Sequence, residues 1–250
     1  MREHGADPAL VGVLGGTPIV GMNDEELARL LDADDVQKVN TANLGAIMHT
    51  GSHGATTVST TMELAAKAGV RVFATGGLGG VHRGYAEHLD ISSDLTALTR
   101  FPVAVVASGV KSILDIDATR EALETLGVPV IGYRTDRFPA FYFRESSAGV
   151  DARFDDIDEL AAFIRTELER TGRGILVANP IPPEHEPDAE SWSRWLAAAH
   201  QRVAESGVTG RDTTPALLAA LHDVSGGATL DANIELVKDN ARVGAMIAVR

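Results

Sequence analysis

Between residues 60 and 178, short apolar runs alternate with segments of helical length, and glycine marks several of the junctions. A helix over 60–68 stops at Gly69 and the strand 70–75 follows. A helix from Asp94 to Thr99 precedes the strand 103–107. A helix capped by Asp117 and ending at Gly127 leads straight into the strand 129–133, and a helix over 157–170 precedes the strand 174–178. Strands joined by helical crossovers run parallel, and a parallel sheet needs helices on both faces. The pattern predicts an α/β fold, a three-layer α/β/α sandwich around a largely parallel mixed sheet. Residues 10–20, two short apolar runs around Gly15-Gly16, read as a hairpin, and Asn23 with Glu25 and Glu26 opens a helix through Leu31. The proline-rich stretch 179–183 ends the alternation. The last third is helical, over 191–206, 214–224 and 231–249. On the last helix Ile234, Val237, Ala241, Ala245 and Ala248 share an apolar face, and Asn233 and Asn240, seven apart, also share one, which suggests a polar pocket wall. Residues 2–5 read as the tail of a helix. No repeat or low-complexity linker divides residues 1–250, which are read as one domain.

Composition narrows the function classes. With 35 acidic against 22 basic residues and a net charge of −13, the chain lacks the basic face that a nucleic-acid backbone requires. A small phosphorylated ligand needs only a few local donors and stays possible. Without cysteine there is neither a disulfide framework nor a cysteine zinc site. No apolar run approaches the 18 or so residues of a membrane span, and the first residues lack a signal-peptide core. The expectation is a cytoplasmic protein with no nucleic-acid or membrane partner.

One stretch asks for chemistry. Lys111 stands at the exit of an apolar strand, just beyond the turn Ser108-Gly109, with Val103, Val105 and Val110 before it and Ile113 and Leu114 after it. An amine kept in apolar surroundings loses its proton more easily and becomes a nucleophile. The alternative is a lysine whose head group reaches out to water. The glycine loop 76–80 invites a dinucleotide reading, but a G-x-G begun at Gly77 puts His82 where the third glycine should fall, which disfavours a nicotinamide enzyme. His82 and Arg83 beyond it are possible phosphate donors. In Asp90-Ile91-Ser92-Ser93-Asp94, Asp90 or Ser93 suits the N-cap of the next helix, and Asp90 equally suits a single-carboxylate site for a hard divalent cation. The run 56–61, rich in hydroxyls, serves either as a cap or as donors to a ligand. Lys38, after an acidic run, reads as solvated.

Taken in order, these segments resemble the pseudouridine-5′-phosphate glycosidases, related to the indigoidine synthase A proteins. The resemblance rests on Gly54-Ala55-Thr56-Thr57-Val58-Ser59, on the run 72–84 with its Gly76-Gly77-Leu78-Gly79-Gly80-Val81-His82-Arg83-Gly84, on Asp90-Ile91-Ser92-Ser93-Asp94-Leu95 and on Lys111-Ser112-Ile113-Leu114-Asp115. It continues through 127–133, Phe138-Pro139-Ala140-Phe141, 177–182 and Ala232-Asn233-Ile234-Glu235-Leu236-Val237-Lys238-Asp239-Asn240-Ala241, nearly the whole chain. The resemblance implies reversible cleavage of the C–C bond of pseudouridine 5′-phosphate, through a Schiff base between a lysine and C1′ of the ring-opened ribose. It makes Lys111 the nucleophile and Asp90 the ligand of Mn²⁺ (or Mg²⁺). Lys38, Val58, Ser92, Ser93 and Asp94 become substrate contacts, joined by His82 and Asn233 from the residue reading. It also implies a homotrimer. Family members carry a longer N-terminal segment with a proton-donating glutamate in a Glu-Ser-Thr motif, which residues 1–250 lack. The expectation is therefore either slowed catalysis or a non-catalytic relative that binds a phosphosugar or nucleotide without turnover.

Overall fold

The structure, a computed structural model, describes residues 1–208 and 213–250. After a 3₁₀ turn at Arg2–His4, the elements in chain order are β1 (Val11–Leu14), β2 (Thr17–Val20), α1 (Asp24–Leu31), β3 (Val36–Val39), α2 (Leu44–Thr50), β4 (His53–Thr56), α3 (Val58–Lys67) and β5 (Val72–Ala74). There follow α4 (Tyr85–His88), α5 (Ser93–Arg100), β6 (Ala104–Ala107), α6 (Ile116–Thr125), β7 (Val130–Tyr133), β8 (Ala152–Phe154), α7 (Ile157–Thr171) and β9 (Ile175–Ala178). Beyond a 3₁₀ turn at Pro183–His185 come α8 (Ala189–Ser206), α9 (Thr213–Val224) and α10 (Ala228–Ala248).

The parallel sheet read from the sequence is five-stranded, in the order β5-β6-β9-β7-β8, with every pair parallel. Its central strands β6 and β9 are buried along their whole length, so they carry uninterrupted apolar runs rather than alternation. Val105, Ala107, Leu176 and Ala178 face a core completed by Met62 of α3, Leu95 and Leu98 of α5, Leu123 of α6 and Trp192 of α8. Ala104, Val106, Ile175 and Val177 point the other way, onto Leu160 and Ile164 of α7 and Val243 and Ile247 of α10. Each fully buried Val, Leu or Ile contributes roughly 1.5–3 kcal/mol, so the two faces together hold the three layers.

A second, four-stranded sheet has the order β2-β1-β4-β3; β1 is antiparallel to β2 and β4, while β3 runs parallel to β4. Val13, Val39, Leu44, Ile47 and Leu64 form its small core. The hairpin was expected; β3, α2 and β4 were not. Gly54 shows why: a Cβ there would lie 2.3 Å from Cγ2 of Val39, so backbone packs where a strand usually shows an apolar side chain.

Two helix caps differ from the sequence reading. The cap of α6 is Asp115, which accepts from the Ala118 amide at 3.0 Å; Asp117 lies in the first turn and takes the Ser147 hydroxyl instead. The cap of α5 is Ser92, accepting from the Asp94 amide at 3.2 Å, so neither Asp90 nor Ser93 caps it. On α10 the buried residues include Ala232, Leu236, Asn240, Val243 and Ile247, whereas Ile234 and Val237 are exposed. Among the described residues no helix is long and apolar enough to cross a membrane.

Candidate active site

The carboxyl ends of β3, β4, β5 and β6 open onto one cavity of about 670 Å³, the place where α/β sheets bind ligands. Beyond β6 the chain turns at Gly109, whose φ of +71° lies in the left-handed region. A Cβ there would sit 1.8 Å from the Pro139 carbonyl oxygen, so the turn admits only glycine. Val110 then pairs with Leu78, and the Lys111 amide donates to the Leu78 carbonyl at 3.3 Å. Ser112 donates its hydroxyl to the Ala140 carbonyl and accepts from the Tyr142 amide at 3.3 Å, fixing the next residue as well. Val110, Ile113 and Leu114 are buried, which leaves the Lys111 amine rooted in apolar packing at the cavity wall. Burial pushes its pKa below the ordinary 10.5; the Asp94 carboxylate opposes this, and the positive charge of Lys38 adds to it.

The glycine loop exists for close approach. The amide of Gly79 donates to Asp94 Oδ2 and that of Ser59 to Asp94 Oδ1, both at 2.9 Å, and Asp94 is only 5% exposed. A Cβ on Gly79 would lie 2.4 Å from the Ser92 hydroxyl, and one on Gly77 2.5 Å from the Phe141 ring. This buried carboxylate ties the start of α5 to the start of α3. A hydroxyl chain joins the same two helix starts, from Thr57 Oγ1 to Ser59 Oγ at 2.9 Å and on to Ser93 Oγ at 3.1 Å. At the rim, Nδ1 of His82 lies 3.6 Å from Asp90 Oδ2, and the Asp90 side chain is 47% exposed. Arg83 instead holds the Leu114 carbonyl at 3.4 Å and lies outside the cavity lining.

The opposite wall comes from Phe141 and Tyr142 and from α9 and α10, through Leu218, His222, Asn233 and Val237. Burial pushes the Tyr142 hydroxyl up to about 12, with the neighbouring Thr229 hydroxyl opposing. The two asparagines of α10 part company. Asn233 lines the cavity; Asn240 is fully buried, donates to the Thr75 carbonyl at 2.8 Å and to the Ser108 hydroxyl at 3.1 Å, and accepts from Asn179 at 2.9 Å. It thus ties together the chain leaving β5, β6 and β9.

Lys38, Val58, His82, Asp90, Ser92, Ser93, Asp94, Lys111 and Asn233, drawn from six separate stretches of sequence, all line this cavity. Phe141, Tyr142 and His222 join them without having been singled out. The signal for His222 was a lone imidazole in the apolar helix Ala216-Leu217-Leu218-Ala219-Ala220-Leu221. Among the described residues no three His, Asp or Glu side chains gather into a metal cage. Asp90 offers one half-exposed carboxylate at the rim, an oxygen donor of the kind a hard divalent cation takes.

The family model described as indigoidine synthase A like protein matches residues 1–250. The pseudouridine-5′-phosphate glycosidase of Symbiobacterium thermophilum is 50% identical over 254 residues, covering 100% of this chain and 82% of the relative. The enzyme of the same name from Methylobacterium nodulans is 49% identical, over 100% of this chain and 74% of its own. Among solved structures, the prealnumycin C-glycosynthase AlnA in complex with ribulose 5-phosphate superposes with a TM-score of 0.91 at 37% identity, covering 99% of this chain and 82% of the other. An indigoidine synthase A-like protein from Thermotoga maritima gives 0.89 at 36%, with coverage of 99% and 82%. With a family match over its whole length and relatives at half identity, the chain belongs to the indigoidine synthase A-like family.

Proposed function

We propose that the chain is a pseudouridine-5′-phosphate glycosidase, cleaving the C–C glycosidic bond reversibly to uracil and ribose 5-phosphate. The observation that carries this is Lys111, an amine biased toward its neutral form by burial at the wall of a 670 Å³ cavity. The names of the relatives support the substrate, and the neighbour solved with a five-carbon ketose phosphate supports a phosphosugar in this cavity. The phosphate belongs with the hydroxyls of Thr57 and Ser93 at the starts of α3 and α5 and with Lys38, since helix amino ends and ammonium groups both favour an anion. The planar base belongs against Phe141, with the Asn233 carboxamide for its carbonyl and imide edge.

The neutral Lys111 amine displaces the ring oxygen at C1′, and the proton shed by the new C–N centre passes to that oxygen, which leaves as the 4′-hydroxyl. Once the base carbon gains a proton, the nitrogen lone pair forms the C=N bond while the C–C bond pair leaves with the base. Water then adds to C1′, returning the amine and freeing ribose 5-phosphate. Among the cavity carboxylates Asp94 is committed to two backbone amides, and Asp90 lies beside His82 at the rim. Asp90 would hold Mn²⁺ or Mg²⁺, which supplies positive charge against the anionic substrate. The homotrimer implied by the resemblance, acting in the cytoplasm, belongs to this reading too: exposed Leu230, Ile234 and Val237 give α10 an apolar stripe beside the cavity.

Incubation with pseudouridine 5′-phosphate should yield uracil and ribose 5-phosphate in equal amounts, faster with Mn²⁺ or Mg²⁺ and slower with chelator. A rise in Tm with the nucleotide but no uracil would favour the binding-only relative. The role of Lys38 has its own readout. Its charge depresses the Lys111 pKa, so Lys38→Met raises that pKa and moves the alkaline rise in imine formation to higher pH; Asp94→Asn, removing the opposing charge, moves it lower. Rates of borohydride trapping measured across pH check both directions.

A further inference from the structure

The roof of the cavity holds a hydrogen-bond arrangement that the reaction above does not use. His222 of α9 lines the cavity, and its Nδ1 lies 2.7 Å from Oγ1 of Thr229, which is 1% exposed. Ser225 Oγ donates to the His222 carbonyl at 3.1 Å and accepts the Thr229 amide at 3.2 Å. Its remaining lone pair faces Thr229 Oγ1 at 3.0 Å, and the Thr229 hydroxyl also neighbours that of Tyr142. A Thr229 proton given to either of these oxygens leaves Thr229 as the acceptor of His222 Nδ1–H. That arrangement puts the ring proton on Nδ1 and makes Nε2 the acceptor on a residue that lines the cavity.

An acceptor at this wall has a particular value for a C-glycoside. Uracil linked through C5 and uracil linked through N1 have the same outline and the same carbonyl, N3–H, carbonyl edge. They differ at one position: the C5-linked ring shows N1–H where the N1-linked ring shows C5–H. The shared edge matches the donor and acceptor of the Asn233 carboxamide, which leaves N1–H for the imidazole. We propose that His222, its tautomer set by Thr229 and Ser225, is the specificity residue that accepts N1–H and so selects pseudouridine 5′-phosphate over uridine 5′-phosphate. This rests on the glycosidase reading and names the group that reads its substrate.

The test compares KM for pseudouridine 5′-phosphate with the inhibition constant of uridine 5′-phosphate, in the unaltered chain and in two variants. The unaltered chain should favour the C-glycoside by about tenfold or more, the scale of one polar contact left unpaired in a buried site. His222→Leu should raise KM for pseudouridine 5′-phosphate by about tenfold while leaving the uridine 5′-phosphate constant and kcat within about threefold. His222→Gln, whose amide oxygen can accept, should recover part of the preference. Equal affinities in the unaltered chain, or parallel weakening of both nucleotides in His222→Leu, would overturn the assignment and leave the glycosidase reading standing. Absence of turnover in the unaltered chain would overturn both.

Discussion

Lys111→Ala is expected to lose the covalent adduct that borohydride traps from ribose 5-phosphate, and to slow uracil release by at least about a thousandfold. The size follows from what the residue does. Without an amine at C1′ no nitrogen lone pair is available to form the C=N bond as the C–C bond pair leaves with the base. Lys111→Arg should fail equally, because a guanidinium keeps the charge but is never neutral near physiological pH. Trapping with ribose 5-phosphate needs only the open-chain aldehyde and the amine. It therefore reports Lys111 separately from the proton that uracil release also requires. Undiminished trapping in the alanine variant would move the imine to another amine, with Lys38 the other lysine at the cavity among the described residues.

What the sequence makes legible depends on how each strand is buried. β6, β7 and β9 are covered on both faces, so Ala104–Ala107, Val130–Tyr133 and Ile175–Ala178 are apolar runs that a reader finds at once. β3 and β4 are not: Gln37 and Lys38 are exposed within Val36–Val39, and Gly54 brings backbone against Val39, so neither period nor composition betrays a strand. Lys38 reads as solvated for the same reason. Its place at the cavity follows from a sheet that the residues alone do not announce, and it was the resemblance that singled it out. Ser92 rather than Asp90 caps α5, a choice between adjacent capping residues that spacing does not decide, and it leaves the Asp90 carboxylate at the cavity rim. On α10 the apolar residues Ile234 and Val237 stay exposed while Asn240 is buried, because the ends of β5, β6 and β9 needed an amide at that point more than another methyl group.

Gly109→Ala should destabilise the protein by ~4 kcal/mol or more, in the range reserved for changes the fold cannot absorb. Two costs combine at this position. A φ of +71° already disfavours any side chain, and the added methyl would fall 1.8 Å from the Pro139 carbonyl oxygen, which belongs to backbone and has little room to retreat. Gly109 also pairs with Ala140 and accepts the Leu78 amide at 3.0 Å, so a retreat would disturb the glycine loop and the Phe138–Phe141 stretch together. Gly172→Ala separates the two costs. Its φ is +64° but nothing lies within 4 Å of the new methyl, and it should cost only about 1–2 kcal/mol. Urea unfolding of both variants gives the comparison, and equal losses would show that the overlap at Pro139 relaxes freely. Because Lys111 is two residues beyond this turn, whatever Gly109→Ala protein remains folded should also trap ribose 5-phosphate more slowly. The same contact that makes the turn admit only glycine holds the amine where C1′ must arrive.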